Sequence, residues 1–135
     1  MHRLFTLASL SVSSLLLGLS ATSAKADSYL DKCIAAGSGS SSHHYKCATE
    51  FMAREDKALN QTWRRVYGSL DDGIAKTALL EEQRAWIKYK DASCELYEDS
   101  AQFGSIGWSV SRPMCKIKVI QQRIRELEGY YKAIR

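Results

Sequence analysis

The sequence predicts an all-α protein, a small helical bundle of three long helices plus a short N-terminal helix, held by two disulfides. Apolar residues recur at spacings of three and four along most of the chain, which is the period of helices that bury one face. No βαβ pattern or internal repeat interrupts that period. Four cysteines in 135 residues are also typical of a small exported domain that needs covalent cross-links.

The N-terminal segment, residues 1–26, is predicted to be a secretory signal peptide. A positive start precedes an apolar run from Leu4 to Ser20, and Ala24 and Ala26 stand where a signal peptidase prefers small residues. The uninterrupted apolar stretch is shorter than the roughly 20 residues of a membrane-spanning helix, which disfavours a retained anchor. No cysteine directly follows the run for lipid attachment. We therefore expect an exported domain, Asp27 to Arg135, that is periplasmic or secreted and has no membrane anchor.

The charge of the domain bounds its partners. Cleavage after residue 26 would remove Arg3 and Lys25 and no acid, which lowers the formal net charge from +4 to +2. Such a domain lacks the strong basic footprint of a nucleic-acid-binding protein. Three cations recur every seven residues on the last helix, and such a run is usually a solvated face: Lys118, Arg125 and Lys132. The alternative is loose attraction to anionic lipid head groups.

The ends of the first two helices are predicted from helix-breaking residues. Tyr29 to Ala36 forms a short helix that ends at Gly37, and "GSGSSSHH" is a flexible connection. A long apolar stripe then runs from Cys47 to Leu70. "LDDG" ends this helix, and one of its two aspartates is expected to cap the next one.

The second half of the chain predicts two more long helices. One spans about Ile74 to Tyr97, with an apolar side that includes Ala75, Leu79, Trp86, Tyr89 and Leu96. Ser100 to Ser111 is then a Gly/Ser-rich linker, and Pro113 stands where a helix can begin. The last helix carries a regular apolar seam: Ile117, Ile120, Ile124, Leu127, Tyr131 and Ile134.

The four cysteines predict two disulfides, although four cysteines allow three connectivities. We favour Cys33 with Cys47 and Cys94 with Cys115, because each pair flanks a Gly/Ser-rich segment that could double back between helices. Chain-entropy arguments give about 3 kcal/mol for a loop of this size. Cys94 is therefore interpreted as a structural cross-link rather than as a nucleophile.

Two segments, "REDKALNQTWRRVY" and "EEQRAWIKYKDASC", followed by "FGSI" and Cys115, resemble the LprI-like lysozyme inhibitor family. The resemblance runs from about Cys33 to Leu127. Its most specific part is the series Gln83, Arg84, Ala85, Trp86, Tyr89, Asp91 and Cys94, together with Leu59 and Asn60 in the preceding helix. The resemblance implies a small exported helical protein and, by the family's name, inhibition of a lysozyme.

The residues of this motif are interpreted as structural. Trp63, Trp86 and Tyr89 fall on apolar stripes, where large aromatic side chains usually belong to a core. Asn60, Gln83 and Asp91 are expected to serve as polar ties between helices, since buried polar groups need partners.

Metal and catalytic sites are not predicted. His43, His44 and Cys47 are of metal-binding type, but zinc prefers a regular tetrahedral set and oxidised cysteines supply no thiolates. The sequence shows no nucleophile elbow, paired-carboxylate motif or activated cysteine. Glu81 and Glu82 are interpreted as ordinary helix electrostatics. We therefore expect neither an enzyme nor a cofactor.

The residues around Cys94 form the candidate partner-binding region. Glu95, Glu98 and Asp99 crowd the predicted end of a helix, where the macrodipole disfavours acids. They pair with Lys116 or Lys118, or they face a basic partner such as a lysozyme.

The linker that follows is the other half of this region. It carries Phe103, Ser105, Ile106 and Trp108 among glycines and serines, and a disulfide would hold it at both ends. Such a preorganised segment loses little entropy on binding, and Trp108 would be its anchor. The alternative is a lid folded back on the bundle.

These observations predict an exported, non-catalytic binding protein, with lysozyme inhibition by occlusion of a cleft as the first function. The alternative is a structural or stress-related cell-envelope protein that binds another periplasmic protein or the cell wall. The sequence does not predict the oligomeric state.

Overall fold

The computed structural model describes residues 22–135, and this part of the chain is helical with no strand. Its α-helices are α1 (Thr22–Ala35), α2 (Ser41–Gly68), α3 (Ile74–Ala92), α4 (Ser100–Ile106) and α5 (Arg112–Ile134). A 3-10 turn, Glu95–Glu98, precedes α4, and a π turn, Gly107–Ser111, joins α4 to α5. The predicted bundle of three long helices with a shorter N-terminal helix is confirmed. Most of the predicted signal peptide, residues 1–21, lies outside the described residues.

The centre of the bundle is the packing of α2 against α5. Leu59 and Val66 form one buried cluster with Leu79, Ile120 and Leu127. Phe51 forms a second cluster with Leu30, Cys47 and Ile117. The beginning of α5 therefore packs against the beginning of α2, and later residues of α5 pack against later residues of α2. The two helices run in the same direction. The predicted seam of α5 supplies three of the buried residues in these clusters.

The beginning of α2 differs from the prediction. The helix starts at Ser41 rather than Cys47, because the hydroxyl of Ser40 accepts a hydrogen bond from the backbone N–H of His43 at 3.3 Å. This is an N-cap, in which a side chain satisfies a backbone donor that the first turn leaves free. The predicted flexible connection is thus reduced to residues 36–40, and His43 and His44 lie within the helix.

Helix α3 runs antiparallel to the other two and is only lightly buried. Leu79 is its one buried residue, whereas Tyr89 is 61% exposed. The predicted apolar side is therefore wrong for Tyr89 and also for Leu96, which lies beyond the helix. No aspartate caps α3, since its N-cap is Gly73, without a side-chain hydrogen bond. Its last residue is Ala92 rather than Tyr97.

The predicted linker, residues 100–111, is a further correction. It is helical almost throughout, as α4 and the π turn. The π turn leads without a break into α5, whose first turn contains Pro113 as predicted.

Both predicted disulfides are present. Cys33–Cys47 joins α1 to α2, and Cys94–Cys115 joins the residue just beyond α3 to the first turn of α5. Across residues 22–135, none of the helices combines the length and the apolar character that a membrane crossing requires.

Candidate functional site

The residues between Cys94 and Cys115 form one compact unit, which we call the closed segment. Asp99 begins α4 by accepting a hydrogen bond from the backbone N–H of Ala101 at 2.9 Å. Gly104 then interrupts the helix with φ 58° and ψ −156°, a backbone conformation that favours glycine. The chain is thereby bent so that the π turn lies against the 3-10 turn.

Gly107 makes this close approach sterically feasible. A Cβ atom at this position would lie 2.4 Å from the carbonyl oxygen of Tyr97 and 2.5 Å from Cβ of Phe103. Gly107 and Ser109 are buried, and the hydroxyl of Ser109 donates to the carbonyl of Ser105 at 2.6 Å. The closed segment is therefore packed through its backbone, and its larger side chains are directed elsewhere.

Leu96 in the 3-10 turn is 61% exposed, and three further large apolar side chains of the closed segment, in α4 and the π turn, are also accessible. We call these three the apolar trio. Phe103 is 37% exposed, Ile106 is 62% exposed and Trp108 is 47% exposed. The ring of Trp108 contacts Tyr45 of α2, with 5.5 Å between the ring centroids. Phe103 packs edge to face on Tyr97 at 5.0 Å. Both aromatic rings are thus supported on one side and open to solvent on the other.

The neighbouring acids are bound to the start of α5. Glu95 accepts hydrogen bonds from Nη2 of Arg112 at 2.9 Å and forms an ion pair with Nζ of Lys116 at 2.8 Å. The hydrogen bond from Lys116, and then that from Arg112, hold the pKa of Glu95 below its ordinary value of 4.5. Glu98 lies 3.0 Å from Nε of Arg112, and Asp99 is exposed. Of the two lysines that the sequence indicated, Lys116 pairs with Glu95, and Arg112 adds contacts that were not anticipated.

The motif residues of α2 and α3 do not share one environment. Gln83 accepts a hydrogen bond from Arg123 of α5, and Trp86 packs against the main buried cluster. Tyr89, Asp91 and Asn60 are exposed. The backbone carbonyl of Asp91, rather than its carboxylate, accepts from Lys116 at 2.9 Å.

Arg123 is the central polar residue that the sequence interpretation missed. It is 2% exposed, and its guanidinium donates to Gln83, Glu82 and Glu126. Glu82 also accepts a hydrogen bond from the hydroxyl of Tyr130 at 3.2 Å. Glu82 thus joins α3 to α5, whereas the sequence predicted only a favourable interaction with the dipole of its own helix. Arg123 lies three residues after Ile120 and four before Leu127, so helical spacing places it on the buried side of α5. This spacing is the sequence signal that could have identified it.

An apolar groove of about 270 Å³ lies at the end of the bundle remote from the closed segment. Leu70, Leu79 and Ile134 line it, with Glu82 and Tyr130 at its polar side. Desolvation, reinforced by the Glu82 carboxylate, raises the pKa of the Tyr130 phenol above its ordinary 10.0.

The N-terminal cysteine cluster brings together three atoms of metal-binding type. The ligand atoms of Cys33, His43 and Cys47 lie within 4.8 Å of one another. Both sulfurs belong to a disulfide, so in this oxidised state they are not thiolate ligands. His44 is not part of this cluster.

Comparison with known proteins places the whole arrangement in a family. The model of the lysozyme inhibitor LprI family matches residues 33–127, a range that includes both disulfides, the Trp86 motif and the closed segment. The chain belongs to the LprI family. The resemblance proposed from the sequence is therefore confirmed.

The chain is similar to the uncharacterized protein R02472 of Rhizobium meliloti (strain 1021), with 33% identity over 98 residues. The aligned region covers 61% of this chain and 67% of the relative. No solved structure matches the chain.

Proposed function

We propose that this protein is an exported, non-catalytic inhibitor of a lysozyme, and that it occludes the cleft of its target with the closed segment. Membership of the LprI family supports the class of target. The observation that carries the proposal is the exposure of the apolar trio, at 37%, 62% and 47%, on a segment fastened at both ends by a disulfide.

The closed segment has the physical properties of a binding element. The disulfide, the Gly107 contact and the Glu95 ion pairs all restrict its backbone before any partner arrives. Binding would therefore lose less conformational entropy than with a flexible loop. Aromatic side chains that enter a dry pocket commonly supply most of the binding free energy. Trp108 and Phe103 are the aromatic members of the trio, and Ser105 is the polar contact between them.

Electrostatic attraction has a secondary part in this proposal. A domain of formal charge +2 gains no long-range steering toward a basic lysozyme. Glu95 is already paired with Arg112 and Lys116. Glu98, which pairs with Arg112 but has a side chain that is 55% exposed, and Asp99, which caps α4, are the acids at the rim. We therefore expect affinity to depend mainly on the apolar trio and to fall only slightly with added salt.

The experiment is a titration of lysozyme activity with the oxidised protein, using lysozymes of several classes. The double variant Phe103→Ala, Trp108→Ala should weaken inhibition by at least about tenfold while leaving helicity unchanged. Tyr89→Ala is the matched control, because it removes an exposed aromatic ring of α3 outside the closed segment. Failure to inhibit any class would refute the inhibitor proposal, and unchanged inhibition by the double variant would exclude the closed segment.

The outward position of Tyr89 favours a second candidate, a cell-envelope protein that binds the wall or another periplasmic protein through α3. Tyr89 belongs to the family motif and yet is 61% exposed. Co-sedimentation with purified peptidoglycan tests the wall-binding form. Binding that Tyr89→Ala abolishes and the Phe103→Ala, Trp108→Ala variant retains would support this candidate over the inhibitor.

A further inference from the structure

The imidazole of His43 lies against the Cys33–Cys47 disulfide. Its Nε2 atom is 2.8 Å from the carbonyl oxygen of Cys33 and 3.4 Å from Sγ of Cys47. A carbonyl oxygen can only accept, so the hydrogen bond to Cys33 requires a proton on Nε2. The same N–H is therefore held within reach of one sulfur of the disulfide.

Gly37 and the spacing of α2 place the His43 imidazole beside the disulfide. A Cβ atom on Gly37 would lie 2.0 Å from Nε2 of His43, so only glycine leaves room for the ring. His43 and Cys47 are four residues apart on α2, which places both side chains on one side of the helix. Among the described residues, no hydrogen bond joins a histidine to Cys94 or Cys115. The two disulfides of the protein thus differ in their chemistry.

We propose that His43 makes Cys33–Cys47 a site of thiol–disulfide exchange with an external low-molecular-weight or protein thiol. Cys33 is half-buried and Cys47 is 0% exposed, so the incoming thiolate attacks Sγ of Cys33. A new S–S bond forms between the external sulfur and Cys33 while the bond to Cys47 breaks. The electron pair of the broken bond goes to Sγ of Cys47, which leaves as a thiolate, and Nε2–H of His43 donates a hydrogen bond to it.

The need for this donor follows from the burial of Cys47. A thiolate without a partner is strongly disfavoured in a dry environment, and a thiolate beside a histidine N–H is not. Exchange is faster when the leaving sulfur is better stabilised. His43 lies next to the sulfur that leaves, which is where such a donor has its effect.

Exchange at this site would also loosen the bundle. Cys47 belongs to the cluster that contains Leu30 of α1 and Phe51 of α2. A mixed disulfide on Cys33 would disconnect α1 from α2 covalently and leave Leu30 held by packing alone. The inference is independent of lysozyme inhibition, since the closed segment and Cys94–Cys115 take no part in it.

The test follows reduction of the oxidised full chain by reduced glutathione, with alkylation at timed intervals and mass spectrometry of each cysteine. His43→Phe keeps a ring and removes the donor, and His44→Phe is the matched control on the same helix. We expect His43→Phe to slow the opening of Cys33–Cys47 about tenfold, as for the loss of one hydrogen bond to a charged atom. His44→Phe and the Cys94–Cys115 disulfide should show no change.

The sign of the effect separates this role from a structural one. A variant that merely loosens the fold would expose the disulfide and accelerate its reduction. Equal or faster opening of Cys33–Cys47 in His43→Phe would therefore overturn the proposal. The first intermediate should carry glutathione on Cys33 and a free thiol on Cys47, and the reverse assignment would also overturn it.

Discussion

The Nε atom of Arg123 donates to the side-chain oxygen of Gln83 at 2.9 Å and so joins α5 to α3 from a position that is 2% exposed. The Nη1 atom donates hydrogen bonds to the carboxylates of Glu82 and Glu126. The guanidinium carbon lies 5.9 Å from the centre of the Trp86 ring. Since Leu79 is the one buried residue of α3, this polar group carries much of the attachment of that helix.

Replacement of Arg123 by Met should therefore lower the free energy of unfolding by about 2 kcal/mol, because Gln83 and Glu82 lose a charged partner. Arg125→Met removes an exposed arginine two residues later and should change it by no more than about 0.5 kcal/mol. Chemical denaturation measures both values. Hydrogen exchange should show the protection of α3 falling first in Arg123→Met, and equal loss in all helices would contradict this account.

Gly107 and Gly129 provide a matched pair of glycine substitutions. Both lie in helical turns, where alanine is intrinsically favoured by up to about 1 kcal/mol. A Cβ atom meets nothing within 4 Å at Gly129 but meets Tyr97 and Phe103 at Gly107. Gly129→Ala should thus stabilise the protein, and Gly107→Ala should destabilise it by about 1–3 kcal/mol. Thermal denaturation gives both signs, and a stabilising Gly107→Ala would show that the closed segment can relax.

The ion pairs of Glu95 predict a dependence of stability on pH. Lys116 and Arg112 lower the pKa of Glu95 in the folded state from its ordinary 4.5. The contribution of Glu95 to the free energy of unfolding is therefore complete above pH 4.5, and it is lost as the pH falls through the lower pKa of the folded state. Glu95→Gln should lower the thermal midpoint at neutral pH and should match the wild type in strong acid.

Glu50→Gln is the control for this experiment. Glu50 is exposed and lies 4.0 Å from Lys46, a contact too loose and too solvated to shift stability appreciably. A Glu95→Gln difference that stays constant across the acid range would assign its effect to packing rather than to charge.

The parts of the fold that the sequence predicted are those that depend on local period and on covalent chemistry. The α5 seam is correct as far as Leu127, because Ile117, Ile120 and Leu127 are buried at helical spacing, whereas Ile134 at the end of the helix is 40% exposed. The disulfide pairing is correct because chain reversal brings each pair together. Tyr89 was misassigned because the period of α3 shows which residues share a side, but not how much of that side meets a neighbour.

The closed segment was the least predictable part of the molecule. Gly104 and Gly107 belong to the segment that the sequence predicts to be a Gly/Ser-rich linker rather than a helix, since glycine disfavours helices. In the structure, Gly104 bends α4 and Gly107 admits the carbonyl of Tyr97. Such a steric requirement depends on residues ten positions apart and leaves no periodic signal. The exposure of Phe103, Ile106 and Trp108 follows from this bend.

The position of Cys94 has a consequence for how the protein can vary. With φ 71° it occupies a left-handed conformation just beyond α3, where a chain usually places glycine. Glycine would end the helix with less strain but could not hold the closed segment to α5. Cys94 thus carries both the left-handed turn that follows α3 and the disulfide that holds the closed segment to α5. A glycine at this position would relieve the left-handed turn but would remove the disulfide. The backbone of this turn and the position of the apolar trio should therefore change together among relatives.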